Sequence, residues 1–211
     1  MTASGASSYN WFNGVLSSSQ GIIADVSGLN NFVVIGSDVN GCLDTASISV
    51  QVDQLPNVVA SSAFNSICLG DSVLISASGG LNYQWGNGVQ SSRQYVNPTT
   101  IGNNSYIVTA SDVNLCSNSD TISISVNSLP IAQVSASDTN ICINDTITLL
   151  SSAASSYQWN NGSNSQSQIL ILSNAGTSIF SVTVSNNNSC SATDSVIINA
   201  VSYTHLRAHE T

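Results

Sequence analysis

The chain has 211 residues and a formal net charge of −9, and Lys plus Arg number only 2. Nucleic-acid binding needs clustered basic side chains that neutralise phosphates, and attraction to an anionic membrane surface needs a polybasic segment, so the composition argues against both. The longest apolar runs, such as residues 169–172, have the length of a strand and are too short to span a bilayer. No basic segment followed by an apolar run comes after Met1, so no signal peptide is visible.

The sequence repeats with a period of 74 residues. This interval separates its Trp residues, Trp11, Trp85 and Trp159 (85 − 11 and 159 − 85), and each Trp ends a Tyr-x-Trp segment with Asn-Gly one residue beyond it. Side chains alternate along a strand, so Tyr and Trp share one face. Because Asn and Gly both tolerate positive φ, we predict a tight type I′ turn after each Trp.

Residues 1–56 are a partial repeat, because they begin just before the first Tyr-x-Trp strand. Two more strands are predicted at 32–35 and 48–52, but the first two strands of the repeat are missing. We therefore expect this segment to expose strand edges and apolar surface, and to be poorly stable alone.

Residues 57–130 are a complete repeat. Gly70 suits a left-handed loop position, which Asn144 occupies in the next repeat. About seven short strands at intervals near ten residues, without helical periodicity, are typical of a Greek-key β-sandwich. We predict an all-β fold of tandem Ig-like Greek-key β-sandwiches with the first one truncated, and place the strands of this repeat at 57–60, 72–77, 83–85, 94–96, 106–110 and 121–126.

Residues 131–201 contain the same elements in the same order and form a second complete repeat. Residues 202–211 differ from the rest, since they hold both His residues and the only Glu. They resemble the peptide obtained when sequencing-adaptor DNA is translated, and we exclude them from fold reasoning. Together, the partial first repeat and this tail predict that the sequence is a piece of a longer open reading frame.

The Trp residues have two interpretations. Filling the space between two sheets would bury about 150–250 Å² per ring, whereas an exposed aromatic platform would bind sugars. The Tyr-x-Trp alternation on a central strand favours the core for Trp11, Trp85 and Trp159, and Tyr106 and Phe180, which share the period with Phe32, are assigned to the core as well.

The cysteines also follow the period. A pair per complete repeat, without metal-binding spacing, predicts disulfides and an oxidising compartment. We expect pairing within repeats, Cys68–Cys116 and Cys142–Cys190, with Cys42 unpaired. In ordinary immunoglobulin topology the two loops lie at opposite ends, so pairing between repeats, for example Cys68 with Cys190, is the alternative.

The aspartates at matching turns raise the possibility of calcium binding. Asp38 and Asp112 begin such turns, but Asn186 takes this place in the third repeat, and no repeat has a clustered Asp-x-Asp set. Calcium needs six or more oxygens, usually from several carboxylates. The alternative is that Asp and Asn start turns by accepting backbone N–H bonds. We predict neither metal nor cofactor.

Catalysis finds no support in the sequence. No His precedes residue 205, so a Ser-His-Asp arrangement is impossible in the body of the chain. No phosphate-binding Gly loop is present either. We therefore predict that the chain is not an enzyme.

Several motifs carry a family resemblance. Segments 67–73, 83–88, 97–100, 106–112 and 38–42 resemble the tandem immunoglobulin-like (PKD-like) repeats of large secreted and cell-surface proteins of Bacteroidota. The resemblance covers residues 1 to about 200 and implies an extracellular adhesive or spacer array, although sandwiches of this kind serve many roles. The implied partners are neighbouring repeats of the same chain, and surface glycans or proteins.

The same resemblance implies O-glycosylation at Asp-Ser or Asp-Thr followed by a small or aliphatic residue. The alternative is that Asp-Thr simply begins a strand. The matching hydroxyl residues are Thr45, Ser72, Thr121, Thr146 and Ser195.

Our functional hypothesis is a non-catalytic structural or adhesive repeat array, the stalk or spacer of a surface or secreted protein. The alternative is a carbohydrate- or protein-binding module accessory to a secreted enzyme. Trp side chains buried between sheets would favour the first, and solvent-exposed aromatic residues on a concave face the second.

Overall fold

The fold consists of β-strands throughout the part of the chain that the structure, a computed structural model, describes, residues 1–202. The predicted tail, residues 202–211, lies outside the described residues except for Ser202. Within the described range, no helix has the length and apolar character needed to cross a membrane. The predicted all-β class is confirmed.

The first repeat contributes one antiparallel sheet in the order β1-β2-β3. Its strands are β1 (Ser8–Trp11), β2 (Gly28–Ser37) and β3 (Leu43–Val52).

Seven strands lie in the second repeat and seven in the third. One sheet of the second repeat has the order β4-β6-β8 and the other β5-β10-β9-β7. These strands are β4 (Val59–Ser62), β5 (Ser66–Cys68), β6 (Val73–Ser78), β7 (Asn82–Trp85), β8 (Arg93–Val96), β9 (Gly102–Ser111) and β10 (Ser117–Asn127). The third repeat has the same arrangement, with sheets β11-β13-β15 and β12-β17-β16-β14. Its strands are β11 (Val134–Ala136), β12 (Asn140–Cys142), β13 (Thr146–Ser151), β14 (Ser156–Trp159), β15 (Ser167–Ile171), β16 (Gly176–Ser185) and β17 (Ser191–Val201).

The third repeat is an Ig-like β-sandwich. Its core joins Ile147 and Leu149 of the three-stranded sheet to Trp159, Val182 and Ile198 of the four-stranded sheet. Alternate residues of β13 are buried, as expected for a strand with one face on a core. The chain passes from β13 to β14 in the other sheet and returns at β15, which gives the crossing connections of a Greek key.

The first repeat has a half-open core. Val50 of β3 is 36% exposed, whereas Ile124 and Ile198, at the corresponding positions one and two periods later, are 0% exposed. A groove of about 420 Å³ lies beside Trp11 and Phe32 of this repeat. With one three-stranded sheet in this repeat, apolar side chains of β3 are left in water.

The described chain forms two compact units. Unit 1 comprises residues 1–60, 76–92 and 107–121, and unit 2 comprises 61–75, 93–106 and the described residues from 122 onward. Unit 1 contains the sheet of the first repeat, and unit 2 contains every strand of the third. The second repeat contributes to both units, so the repeat boundaries at 56/57 and 130/131 stay predictions.

The turn after each Trp differs from the predicted type I′ turn. Gly88 has a φ of 87°, but Asn87 is not among the residues with positive φ. Gly88 N–H donates to Trp85 O at 2.8 Å, and Trp85 N–H donates to Val89 O at 2.9 Å. This pattern matches a three-residue loop with one left-handed Gly. The type I′ prediction was wrong because a longer loop needs positive φ at only one residue.

Candidate functional site

Each Trp ring is buried and its polar edge is satisfied. Trp11, Trp85 and Trp159 are 4%, 2% and 2% exposed. Each Nε1–H donates to the backbone carbonyl six residues later, at 2.8, 2.9 and 2.8 Å, and the acceptors are Ser17, Ser91 and Ser165. A buried indole loses water, and this bond replaces the lost partner. The rings therefore offer no platform for a ligand.

The two other aromatic residues assigned to the core are only half-buried. Phe180 packs against the core of the third repeat. Burial raises the pKa of the Tyr106 hydroxyl. Both rings lie nearer the surface than the Trp rings.

A second role of the Tyr-x-Trp segment escaped the sequence analysis. The Tyr83 hydroxyl donates to Gly80 O at 2.7 Å and accepts from Gly80 N–H at 3.1 Å. Tyr157 forms the same pair of bonds with Ala154, at 3.2 and 2.9 Å. In the first repeat, Tyr9 accepts from the Ala6 N–H at 3.2 Å. The sequence signal for this role was the recurrence of Tyr two residues before every Trp. A Phe would fill the same space, so the recurring hydroxyl points to a hydrogen bond.

The structure joins cysteines of consecutive repeats. Cys68, at the end of β5, forms a disulfide with Cys190, in the turn between β16 and β17, and their Cα atoms are 5.5 Å apart. Cys42, Cys116 and Cys142 are free thiols. The alternative pairing between repeats is the one that forms, and both residues lie in unit 2.

Strand length explains why the two cysteines of one repeat do not pair. Cys142 lies beside Val201 at the end of β17, whereas Cys190 immediately precedes Ser191 at its start. A strand of 11 residues separates these ends by about 30 Å at the usual rise. A disulfide needs Cα atoms within about 7 Å. The preferred pairs Cys68–Cys116 and Cys142–Cys190 were therefore wrong, and β10 has the same length of 11 residues.

The Asp and Asn residues at the matching turns bind the backbone. Asp38 Oδ1 accepts from the N–H groups of Asn40 and Cys42, both at 2.8 Å. The backbone N–H of Cys42 is the main cause that lowers the pKa of Asp38. Asp112 and Asn186 form the same bonds one and two periods later. The neutral amide of Asn186 thus forms the same turn as the two carboxylates, which favours a turn-forming role of these residues over calcium binding. Within residues 1–202, no group of three or more His, Cys, Asp or Glu side chains is placed to hold a metal.

The carboxylates at the five predicted glycosylation sites also bind the backbone. Asp71 and Asp145 accept from the N–H groups of Cys68 and Cys142, at 3.2 and 3.0 Å. Asp44 accepts from the N–H of the residue after it at 2.8 Å. Asp120 and Asp194 accept from N–H groups of β4 and β11, respectively. The adjoining hydroxyl residues are all exposed: Thr45, Ser72, Thr121, Thr146 and Ser195.

A polar depression of about 600 Å³ lies beside β7 and β9 in unit 1. Tyr83, Gln84, Gln90 and Thr109 are among its lining residues. No charged side chain lines it, and the Tyr83 hydroxyl is engaged by Gly80. It is a concave surface of the second repeat that a ligand could reach.

No protein-family model matches the chain, and no curated protein matches it. Among solved structures, it is similar to the fibronectin(III)-like modules of Clostridium thermocellum CbhA, with 13% identity, a TM-score of 0.37 and coverage of 72% of this chain and 100% of that one. It is also similar to a Ca²⁺-stabilised adhesin with which an Antarctic bacterium binds ice, with 13% identity, a TM-score of 0.41 and coverage of 83% and 57%. The human desmocollin-1 ectodomain matches with 12% identity, a TM-score of 0.26 and coverage of 93% and 48%. Likenesses this weak carry no functional inference for this chain.

Proposed function

We propose that this chain is a non-catalytic array of structural repeats in an extracellular protein, where it serves as a stalk or spacer. Following the motif resemblance, the parent is a secreted or cell-surface protein of the Bacteroidota type. Its direct partners are neighbouring repeats.

The observation that carries this proposal is the burial of all three Trp rings. A sugar-binding surface uses exposed aromatic faces, whereas here each indole is at most 4% exposed and donates a hydrogen bond to the backbone. The repeated Trp residues, the clearest aromatic pattern in the sequence, therefore stabilise the fold. A repeat whose recurring aromatic residue lies in its interior suits a spacer.

The Cys68–Cys190 disulfide supports the extracellular location. Disulfides persist in oxidising compartments and are rare where glutathione keeps thiols reduced. A bond between repeats also resists their separation, which suits a segment that carries tension.

Ligand binding tests the choice between spacer and binding module. The full chain is run by affinity electrophoresis through gels that contain β-glucan, xylan, chitin or mannan, and we expect no retardation in any of them. Retardation by one polysaccharide that disappears in Gln84→Ala, in the depression beside β7, would support the accessory module instead. Tyr95→Ala, which removes a ring that is 74% exposed outside that depression, is the matched control.

Surface exposure tests the proposed location. Protease added to intact cells of the source organism should degrade the chain, while a cytoplasmic marker stays intact. A chain that is protected until the cells are lysed would contradict an extracellular role.

We also propose O-glycosylation of the exposed hydroxyls that follow Asp, in keeping with the motif resemblance. Thr45 and Thr121 are examples, and their side chains are free of the core. Intact-mass analysis of protein from the source organism should show added hexoses. A mass equal to that of the bare polypeptide would contradict the proposal.

A further inference from the structure

The Cys68–Cys190 disulfide gives the chain a second covalent route from its second repeat to its third. The bond joins residues that are 122 positions apart in the sequence, and their Cα atoms lie 5.5 Å apart. A fully extended chain of that length would span about 400 Å. When the chain is pulled from both sides of this bond, the tension therefore takes the short route, from Cys68 through the disulfide to Cys190. Residues 69–189 form a closed loop beside it, the bypassed segment.

Most of the core of the third repeat lies in the bypassed segment. Ile147 of β13, Trp159 of β14 and Val182 of β16 are core residues of this kind. Ile198 is a core residue of β17, which lies beyond Cys190. Among the described strands of the third repeat, β17 is thus the one on the short route.

Strand β17 is already extended and can carry tension along its own backbone. It begins directly after Cys190 and continues for 11 residues, Ser191–Val201, a span of about 30 Å at the usual rise. Its neighbours β16 and β12 both belong to the bypassed segment, so the tension does not pass through them. The hydrogen bonds that join β17 to these strands are therefore not loaded.

Strand β5 is loaded in the same way. Its last residue, Cys68, passes the tension to Cys190, and its parallel partner β10 lies in the bypassed segment. The hydrogen bonds between β5 and β10 therefore also stay unloaded. In the second repeat, it is the residues before Cys68, with β4 among them, that can straighten under tension.

Without the disulfide, the tension would pass through every residue of the bypassed segment. The third repeat would then be pulled between its first strand, β11, and its last strand, β17. Because β12 and β17 are parallel neighbours, they would be pulled in opposite directions along their length. The hydrogen bonds between them would have to break, and the repeat would then unfold.

We propose that the Cys68–Cys190 bond makes the second and third repeats a force-bearing tether. Tension runs through β5, the disulfide and β17, while the strands from β6 to β16 stay folded and unloaded. The oxidised array thus keeps its length under a tension that extends the reduced chain. The use of this tether in the cell rests on the proposed stalk function, but the route of the tension can be measured on the purified chain alone.

Force spectroscopy on single molecules measures the route. The full chain is held by peptide tags at its two ends and stretched, first in oxidising buffer and then with a dithiol reductant. One thiolate of the reductant attacks a sulfur of the disulfide and its second thiolate completes the exchange, which leaves two Cys thiols and one cyclic disulfide of the reductant. We expect the fully stretched length to increase by about 400 Å on reduction. Equal lengths in the two buffers would overturn the proposal.

Two Ser variants identify the bond that carries the tension. Cys68→Ser should reach the longer length in both buffers, because its short route is absent. Cys142→Ser is the matched control, since Cys142 ends the corresponding strand β12 but is a free thiol, and it should behave as the wild type does. A Cys68→Ser chain that stays short in oxidising buffer would contradict the assigned route.

Thiol labelling under tension tests whether the third repeat stays folded. In the double variant Cys42→Ser/Cys116→Ser, the oxidised chain keeps Cys142 of β12 as its one free thiol, and this side chain is half-buried. A maleimide probe should react with Cys142 equally fast in the relaxed and the stretched chain, because β17 stays paired with β12. Faster reaction under tension would show that these strands separate, and would overturn the proposal. The polysaccharide and cell-surface tests of the spacer would keep their outcomes in either case.

Discussion

The indole of each repeat meets two requirements at the residue scale. Its ring needs an apolar interior, and its N–H needs an acceptor that replaces water. Trp159 satisfies both, since it lies in the core of the third repeat and donates to Ser165 O at 2.8 Å. The same hydrogen bond occurs in all three repeats, so the Trp side chain ties each strand to the loop that follows it.

Truncation of Trp159 should destabilise the third repeat. Trp159→Ala removes a ring that is 2% exposed, and loss of a buried aromatic ring usually lowers the free energy of unfolding by about 3–5 kcal/mol. Urea unfolding followed by far-UV circular dichroism measures the change. Ile169→Ala, at a side chain that is 70% exposed, is the control, and an equal loss in both variants would contradict a core role for the indole.

Backbone strain is visible at one turn position. Gly41, Leu115 and Ser189 occupy the same place in the three copies and have φ values of 83°, 64° and 63°. The left-handed region costs an L-residue with a side chain roughly 1–2 kcal/mol. Only the first copy has the residue that adopts it freely.

Leu115→Gly should therefore stabilise the chain. Leu115 is 80% exposed, so the variant loses little packing, and we expect a gain of about 1 kcal/mol in the free energy of unfolding. Val113→Gly is the control in the same turn, because Val113 is 77% exposed and has no positive φ. It should lose stability through the flexibility of Gly. Thermal unfolding that ranks the two variants in the opposite order would refute this explanation.

Among the secondary-structure elements, two edge strands donate backbone hydrogen bonds to carboxylates of another strand. Asp120 Oδ2 accepts from the N–H of Ala60 in β4 at 2.7 Å, and Asp194 Oδ2 accepts from Val134 in β11 at 2.8 Å. An unpaired strand edge presents free N–H groups, and these bonds satisfy one of them in the second repeat and one in the third. Ala46 occupies this position in the first repeat, which contributes only the sheet β1-β2-β3.

The Asp120 bond predicts acid sensitivity. The N–H of Ala60, followed by that of Thr121, lowers the pKa of Asp120 below the ordinary value of 3.8. A group whose pKa is lower in the folded state contributes stability above its unfolded pKa and loses it as the pH falls through the folded pKa. We expect the denaturant concentration at the midpoint of unfolding to decrease for the wild type once the pH is lowered below 3.8.

Asp120→Asn tests this assignment, because the amide oxygen can still accept from Ala60 N–H but has no charge. The variant should be less stable than the wild type near neutral pH, and the difference should shrink below pH 3.8. Denaturant titrations across the pH range measure it. A difference that stays constant with pH would show that the charge has no part.

The inter-repeat disulfide is the main constraint at the scale of the whole molecule. It closes a segment of 122 residues, and the chain-entropy model assigns about 5 kcal/mol to a loop of that length. Measured effects are usually smaller, because the unfolded state keeps some structure.

Cys68→Ser should lower the free energy of unfolding by about 2–4 kcal/mol. Cys142→Ser is the matched control, since Cys142 has the same local structure but is a free thiol. Urea titration under oxidising conditions should separate the two variants, and addition of a reductant should bring the wild type close to Cys68→Ser. Equal stability of both variants under oxidising conditions would show that the bond does not stabilise the chain.

Local patterns made much of this protein predictable from its sequence. The period of the Trp residues, the alternation along β13 and the absence of helical periodicity indicated tandem sandwiches, because strand faces follow from spacing alone. The left-handed loop position was confirmed in the same way, since Gly70 and Asn144 have φ values of 96° and 68°. The sequence analysis expected residues 1–56 to expose apolar surface, and Val50 of β3 is part of such a surface.

Contacts between residues far apart in the chain required the tertiary structure. The period matched Cys68 with Cys142, and Cys190 with Cys116, but only the pairing of β5 with β10 and the length of β17 decided which cysteines meet. The bond from Asp120 to β4 likewise joins residues 60 positions apart. Spacing in a sequence determines which face a side chain takes on its own strand, whereas the partner on another strand depends on how the strands are arranged in space.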